Sequence, residues 1–361
     1  MEAQQFDDGY WAFAAEALLQ RLDAMSQEAD GVRKGEDLEF VHRMRVASRR
    51  LRSAIAIFED CLASGGLHGF KKPIRRITKE LGEARDLDVQ LEALEDFAKH
   101  DRKPEHHPGI ERLALRFRQQ RAQLQSRVVE AIDRLQASAV WEQMMRPLRE
   151  IAVRAKLRGV RAESPTLRRS AVVAIATELE GLLSHETYVE QPDKVEELHQ
   201  MRIAAKKLRY TIEVFAPLFG IDMAAGLAQT KDAQKILGEI HDCDVWIQML
   251  PAFLEEERER TTAYFGHARH FTRLAVGIEY MRAHKLRERA KHYTQFVEFW
   301  KHSRAVGTWE KLHDALHQPA QRADGSGSLL SVTVQDEAVG DATAAKSKPV
   351  TATPVGSLGG T

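Results

Sequence analysis

Two stretches of this chain carry arginine, lysine and histidine at helical spacing, and the chemistry they offer is recognition of anions. Phe40 to Phe58 reads FVHRMRVASRRLRSAIAIF, and Glu197 to Phe215 reads ELHQMRIAAKKLRYTIEVF. Placed on a helix at ~100° per residue, His42, Arg45, Arg49 and Arg52 fall within roughly 80° of one another. Phe40, Met44, Ala47, Leu51, Ile55 and Phe58 occupy the opposite side. The second stretch repeats the arrangement, with His199, Arg202, Lys206 and Arg209 on one side and Met201, Ala204, Leu208, Ile212 and Phe215 on the other. Arg50 and Lys207 flank the two stripes.

Neither block, from His42 to Arg52 or from His199 to Arg209, contains an acidic residue. Like charges three or four residues apart destabilise a helix by about 0.2–0.5 kcal/mol per pair. An external anion would supply the missing charge, with arginine donating bidentate hydrogen bonds and lysine acting as a point charge. A basic helix face standing alone is ordinarily just solvated. The same stripe recurring without acids argues for a ligand. Histidine beside arginine is often a structural hydrogen-bonder, but when protonated it donates from both nitrogens, so His42 and His199 are candidate pH-sensitive contacts.

The theme continues downstream. Lys72, Arg75 and Lys79 share a face with Arg76 beside them, Lys231 and Lys235 stand at the positions of Arg75 and Lys79, and Arg85 is matched by His241. Four basic helix faces could line one groove, which would suit a linear polyanion with a regular charge repeat. Asp86/Asp88 and Asp242/Asp244 form paired Asp-x-Asp motifs. They could hold a metal, but the preferred reading is that Asp86 and Asp242 cap helix starts after Gly82 and Gly238 or pair with neighbouring cations.

The elements that must position these residues are helices. Periodicity predicts helices over 10–29, 36–62, 70–82, 86–99, two within 110–154, and then 166–184, 195–219, 221–238, 242–260 and 262 to about 316. The expected breaks lie at Gly31–Gly35, Gly65-Gly66, Pro104–Gly109, near 137–140 or at Pro147, and at Gln191-Pro192. Residues 157–165 read as a linker. No segment shows strand-like alternation.

The basic blocks recur at an offset of 157, and LGEARDLDV (81–89) recurs as LGEIHDCDV (237–245) at an offset of 156. Two matching blocks in the same order predict a tandem duplication, with repeats over 6–156 and 166–318 related by a pseudo-two-fold axis. Residues 319–361, rich in Gly, Ser, Ala and Thr and without an aromatic, are expected to form a disordered tail.

Composition sets limits. The 53 basic and 53 acidic side chains cancel, so an anionic partner must be argued from local clusters. Cys61 and Cys243 are too few for a disulfide framework or a thiolate zinc site and read as buried thiols of a cytoplasmic protein. The first ten residues lack the basic start and apolar run of a signal peptide, and no run approaches the ~20 apolar residues needed to span a bilayer.

At the two blocks the sequence resembles the CHAD family, the conserved histidine α-helical domain. The pattern is a histidine followed by regularly spaced Arg/Lys and then LG-x-x-R/H-D-x-D-V, and the resemblance covers roughly residues 6–318. It implies two four-helix bundles around a central basic cleft, binding of inorganic polyphosphate and association with polyphosphate granules. The implied phosphate contacts are His42, Arg45, Arg49, Arg50 and Arg52 with His199, Arg202, Lys206, Lys207 and Arg209, joined by Arg75, Lys79, Lys231 and Lys235. The family often carries a triphosphate-tunnel domain with an E-x-E-x-K motif, which is absent here, so no triphosphatase activity is implied. Ala228 and Asp232 replace the Lys72 and Arg76 positions in the second half, so the groove is expected to be asymmetric.

The expectation is therefore an all-α, non-catalytic, cofactor-free binder of polyphosphate. Nucleic-acid binding is the first alternative, poorly supported because Tyr210 is the lone aromatic of the stripes. A metal-dependent phosphohydrolase using the Asp-x-Asp pairs is the second, although no nucleophile or general base stands out.

Overall fold

The computed structural model describes residues 6–67, 69–138, 140–160, 164–219 and 223–317. The expected tail over 319–361 and residues 161–163 of the expected linker lie outside them. The described residues form α-helices with short 3₁₀ turns and no strand. In chain order the helices are α1 (Asp8–Gln27), α2 (Ala29–Lys34), α3 (Leu38–Ile57), α4 (Glu59–Ser64), α5 (Lys71–His100) and α6 (His107–Ala137). They continue with α7 (Val140–Leu157), α8 (Pro165–Leu183), α9 (Val195–Phe215), α10 (Ala224–Phe265), α11 (Thr272–Ala305) and α12 (Thr308–His317). No helix among the described residues is long and apolar enough to cross a membrane.

Local chemistry sets several boundaries. Asp7 accepts a hydrogen bond from the Tyr10 amide (2.9 Å) and starts α1. Asp37 accepts from the Glu39 amide (2.9 Å) and starts α3. Ser164 accepts from the Leu167 amide (3.0 Å) ahead of Pro165, and the missing N–H of a first-turn proline costs nothing there. Gly35, at φ 67°, closes α2.

Several expected boundaries are corrected. Gly82 does not end a helix: α5 runs unbroken through it, and α10 runs through Gly238 and Pro251. A helical glycine costs only about 1 kcal/mol relative to alanine. Burial of Ile74, Ile77, Leu81, Ala84 and Asp88 continues along one face of α5 past Gly82. Asp86 and Asp242 therefore lie inside helices and cap nothing. The expected helix over 36–62 divides at Phe58 into α3 and α4, and the stretch from 262 holds the end of α10, then α11 and α12.

Within 8–157, α1 packs on α3 and α7, α3 on α5, and α5 on α6. Within 165–317, α8 packs on α9 and α12, α9 on α10, and α10 on α11. Between these sets α3 meets α9, α1 meets α8 and α6 meets α11. The larger core joins both sets, with Phe58 and Phe215 rings 6.0 Å apart and edge-on, and Phe13 stacked on Phe215 at 6.0 Å. Leu18, Leu22, Leu51, Leu167 and Leu208 are fully buried within it, each contributing about 1.5–3 kcal/mol. A second core lies among α5, α6, α10 and α11, around Leu94, Leu113, Phe117, Trp246, Leu250 and Ile278. There α6 and α11 approach at two glycines. A Cβ on Gly109 would collide with the Leu274 carbonyl, and one on Gly277 with the His106 carbonyl.

Candidate functional site

The apolar sides of α3 and α5 enter the core, so their basic sides turn outward together. They border an open pocket of about 1190 Å³. Arg45, Arg49 and Arg52 reach it from α3, and Lys72, Arg75, Arg76 and Lys79 from α5. Lys206 reaches it from α9 and Arg134 from the end of α6. Those nine cations face two acids of the wall, Glu83 and Asp86.

Electrostatics inside the wall are strained by like charge. Burial lowers the Lys206 ammonium to about 7, and Arg202, Arg45, Arg52 and Lys207 push the same way. Burial and the nearby Arg75 both lower Arg52. Arg45 and Arg202 lie deeper, 3% and 2% exposed. Burial lowers both guanidinium groups. Asp86 partly offsets this for Arg45 through an ion pair at 3.4 Å. Asp242 does the same for Arg202, and the Asp242 carboxyl is itself raised to about 7 by burial.

Of the eighteen basic residues singled out from the sequence, eight line this pocket: Arg45, Arg49, Arg52, Lys72, Arg75, Arg76, Lys79 and Lys206. The other ten are His42, Arg50, Arg85, His199, Arg202, Lys207, Arg209, Lys231, Lys235 and His241. Arg50 and Arg209 both reach Glu213, at 3.6 and 2.8 Å. Buried Arg85 pairs with Glu92 at 3.1 Å. His199 Nδ1 lies 3.0 Å from His241 Nδ1, so only one proton fits between the two rings. Burial, then Arg202, lowers His199. His42 is half-buried on α3, Lys207 and Lys235 are exposed, and Lys231 is half-buried.

Two residues escaped the sequence reading. Glu213 stands one helical turn beyond Arg209, and the i,i+4 spacing was the available signal. Arg134 belongs to no stripe, and only the packing of α6 against α5 brings it to the pocket. Three of the four Asp-x-Asp carboxylates are occupied by cations, Asp86 by Arg45, Asp88 by Arg121 at 2.6 Å and Asp244 by Arg289, and the fourth, Asp242, is buried near Arg202. Among the described residues no group of three or more His, Cys, Asp or Glu is placed to hold a metal ion. Cys61 and Cys243 are buried free thiols, both raised to about 12 by that burial.

The CHAD domain model matches residues 16–251, well over half of the chain. The crystal structure of the CHAD domain from the plant Ricinus communis is similar at a TM-score of 0.57 and 21% identity, covering 86% of this chain and 93% of that one. That likeness is one of fold. PptA from Streptomyces chartreusis aligns at a TM-score of 0.49 and 14% identity over 81% of this chain and 99% of that one, too distant to argue from. No curated protein matches the chain.

Proposed function

This chain belongs to the CHAD domain family, and from that premise we propose that it binds inorganic polyphosphate without cleaving it, in a basic cleft built by two duplicated halves. The halves are 6–156 and 166–318. Their reading as duplicates is supported by the recurring sequence blocks and by the parallel packing order α1–α3–α5–α6 and α8–α9–α10–α11. The reciprocal approach of Gly109 to Leu274 and of Gly277 to His106 is what a pseudo-two-fold axis produces, since each partner meets the equivalent of the other.

The observation that carries the ligand class is the wall of nine cations against two acids. Cations held this close, with Lys206 depressed to about 7, favour any ligand that brings negative charge at short, regular intervals. Polyphosphate does so along its whole length, and the family resemblance implies the same ligand. Arginine and lysine would donate to its non-bridging oxygens, each charge-assisted hydrogen bond contributing about 1.5–3 kcal/mol at best. Neither bond breaking nor a leaving group is part of this account. Association with polyphosphate granules would follow from the same binding.

The test is a titration of the full chain with long-chain polyphosphate against duplex DNA of matched charge, at two salt concentrations. A tenfold or greater preference for polyphosphate, with affinity falling as salt rises, supports the reading. Equal binding of both polymers, or binding indifferent to salt, contradicts it. Bound polyphosphate should also raise the melting temperature, because it relieves repulsion in the wall.

A further inference from the structure

We propose that the tip of the α10–α11 hairpin is a second, separate binding site, for unpaired nucleic-acid bases carried on a single strand. The tip projects beyond the rest of the frame. α5 ends at His100, 19 residues past Leu81, whereas α10 runs to Phe265, 28 residues past Leu237. The extra nine residues lengthen the hairpin arm by roughly 13 Å. This segment also lies beyond the residues matched by the family model, which end at 251.

The tip is exposed and aromatic. Tyr264 is 82% exposed and Phe265 52%. Their rings lie 4.7 Å apart and nearly perpendicular. The His267 ring stacks with Phe265 at 6.4 Å and an interplanar angle of 15°, and the His270 ring stands 5.3 Å from Phe265 and 5.7 Å from His267. Four rings thus form a contiguous platform in solvent. The platform contributes nothing to either hydrophobic core. Exposed Arg269 and Arg273 flank it, and residues 261–278 include no acid.

Flat rings beside unopposed arginines are the combination that holds single strands: bases stack on the rings and phosphates meet the cations. A duplex hides its base faces and would find only the charges. A lipid surface is the competing partner, because exposed aromatics with arginine also suit a bilayer interface. The composition favours bases. From Tyr264 to Phe271 the lone aliphatic side chain is Ala268, and two of the four platform rings are polar imidazoles. The site does not rest on the polyphosphate reading, since it uses none of the pocket's residues.

The experiment is fluorescence anisotropy with a labelled 15-nucleotide oligothymidylate and an abasic deoxyribose-phosphate oligomer of the same length and charge. Three full-length proteins are compared: wild type, Tyr264→Ala/Phe265→Ala, and the pocket variant Arg52→Glu/Arg75→Glu. The site predicts at least tenfold preference of wild type for oligothymidylate over the abasic chain. That preference persists in the pocket variant and disappears in Tyr264→Ala/Phe265→Ala, whose melting temperature is unchanged. Equal binding of the two oligomers by wild type, or a preference that survives loss of both tip rings, overturns the site. Phosphatidylglycerol vesicles that depend on Tyr264 and Phe265 while oligothymidylate does not would overturn it in favour of a lipid surface.

Discussion

The α3/α5 face and the α9/α10 face carry nearly the same run of basic residues, yet the first lines most of an open basic pocket and the second gives it Lys206 alone. A few positions account for the contrast. Ala56 stands one helical turn beyond Arg52. Its counterpart Glu213, one turn beyond Arg209, holds both Arg209 and Arg50. Lys72 and Arg76 line the pocket, whereas the corresponding positions are Ala228 and Asp232. Arg85 has His241 as counterpart, which turns to His199 rather than to an anion. The lesson is that a shared helical frame positions a charged stripe, but the acids one turn away decide which of its cations are paired within the protein.

The largest effect expected from breaking that contrast is on stability. Glu213→Ala removes a carboxylate, 9% exposed, from between Arg50 and Arg209. Leaving two partly buried cations without it should cost about 3 kcal/mol. Thermal or denaturant unfolding reads this, and polyphosphate should restore much of the loss by supplying the charge. A variant as stable as wild type would show that Glu213 neutralises neither Arg50 nor Arg209.

Next comes pH. Lys206 is held near 7 in the ligand-free protein, well below an ordinary lysine. An adjacent phosphate favours the ammonium, so above pH 7 binding must take up a proton. Affinity should therefore fall as pH rises from 7, by up to about tenfold per unit. Asp242, raised to about 7 by burial, loses its proton over the same range and acts in the same direction. Without ligand, the cost of charging Lys206 is fully present below about pH 7 and is relieved as pH rises toward the unfolded value. Calorimetry at pH 8 in buffers of different ionisation enthalpy measures the proton uptake. No uptake would remove Lys206 from the site. Lys206→Met should flatten the profile.

The smallest effect sharpens the comparison by converting one face toward the other. Ala56→Glu places an acid one turn after Arg52, as Glu213 stands after Arg209. It should weaken polyphosphate binding several-fold while stabilising the helix by about 0.3–0.5 kcal/mol. Unchanged affinity would mean that Arg52 contacts no phosphate.

Much of this was legible in the sequence because helical periodicity fixes which side of a helix a residue occupies. The apolar run from Met44 through Leu51 to Ile55 predicted the buried side of α3, and the opposite stripe predicted three of its pocket residues. Helix ends were harder to read. Gly82 and Gly238 read as stops, although tertiary burial carries both helices through them. Depth was not legible either. Arg45 and Arg52 share a stripe, but Arg45 faces α9 and is buried while Arg52 meets solvent, a difference set by the neighbouring helix. Arg134 depended wholly on packing between distant segments.

The burial of Arg45 and Arg202 also decides how the central claim is best tested, since charge reversal there would damage the fold. Positions nearer the surface serve instead. Polyphosphate affinity should be titrated for Arg52→Glu/Arg75→Glu beside the corresponding pair on the other face, Arg209→Glu/Lys231→Glu, with melting temperatures confirming that each is folded. The polarised site predicts a loss on the order of a hundredfold for the first pair, from two charge-assisted contacts, and less than tenfold for the second. Equal losses for the two pairs, or an unaffected first pair, would contradict the account.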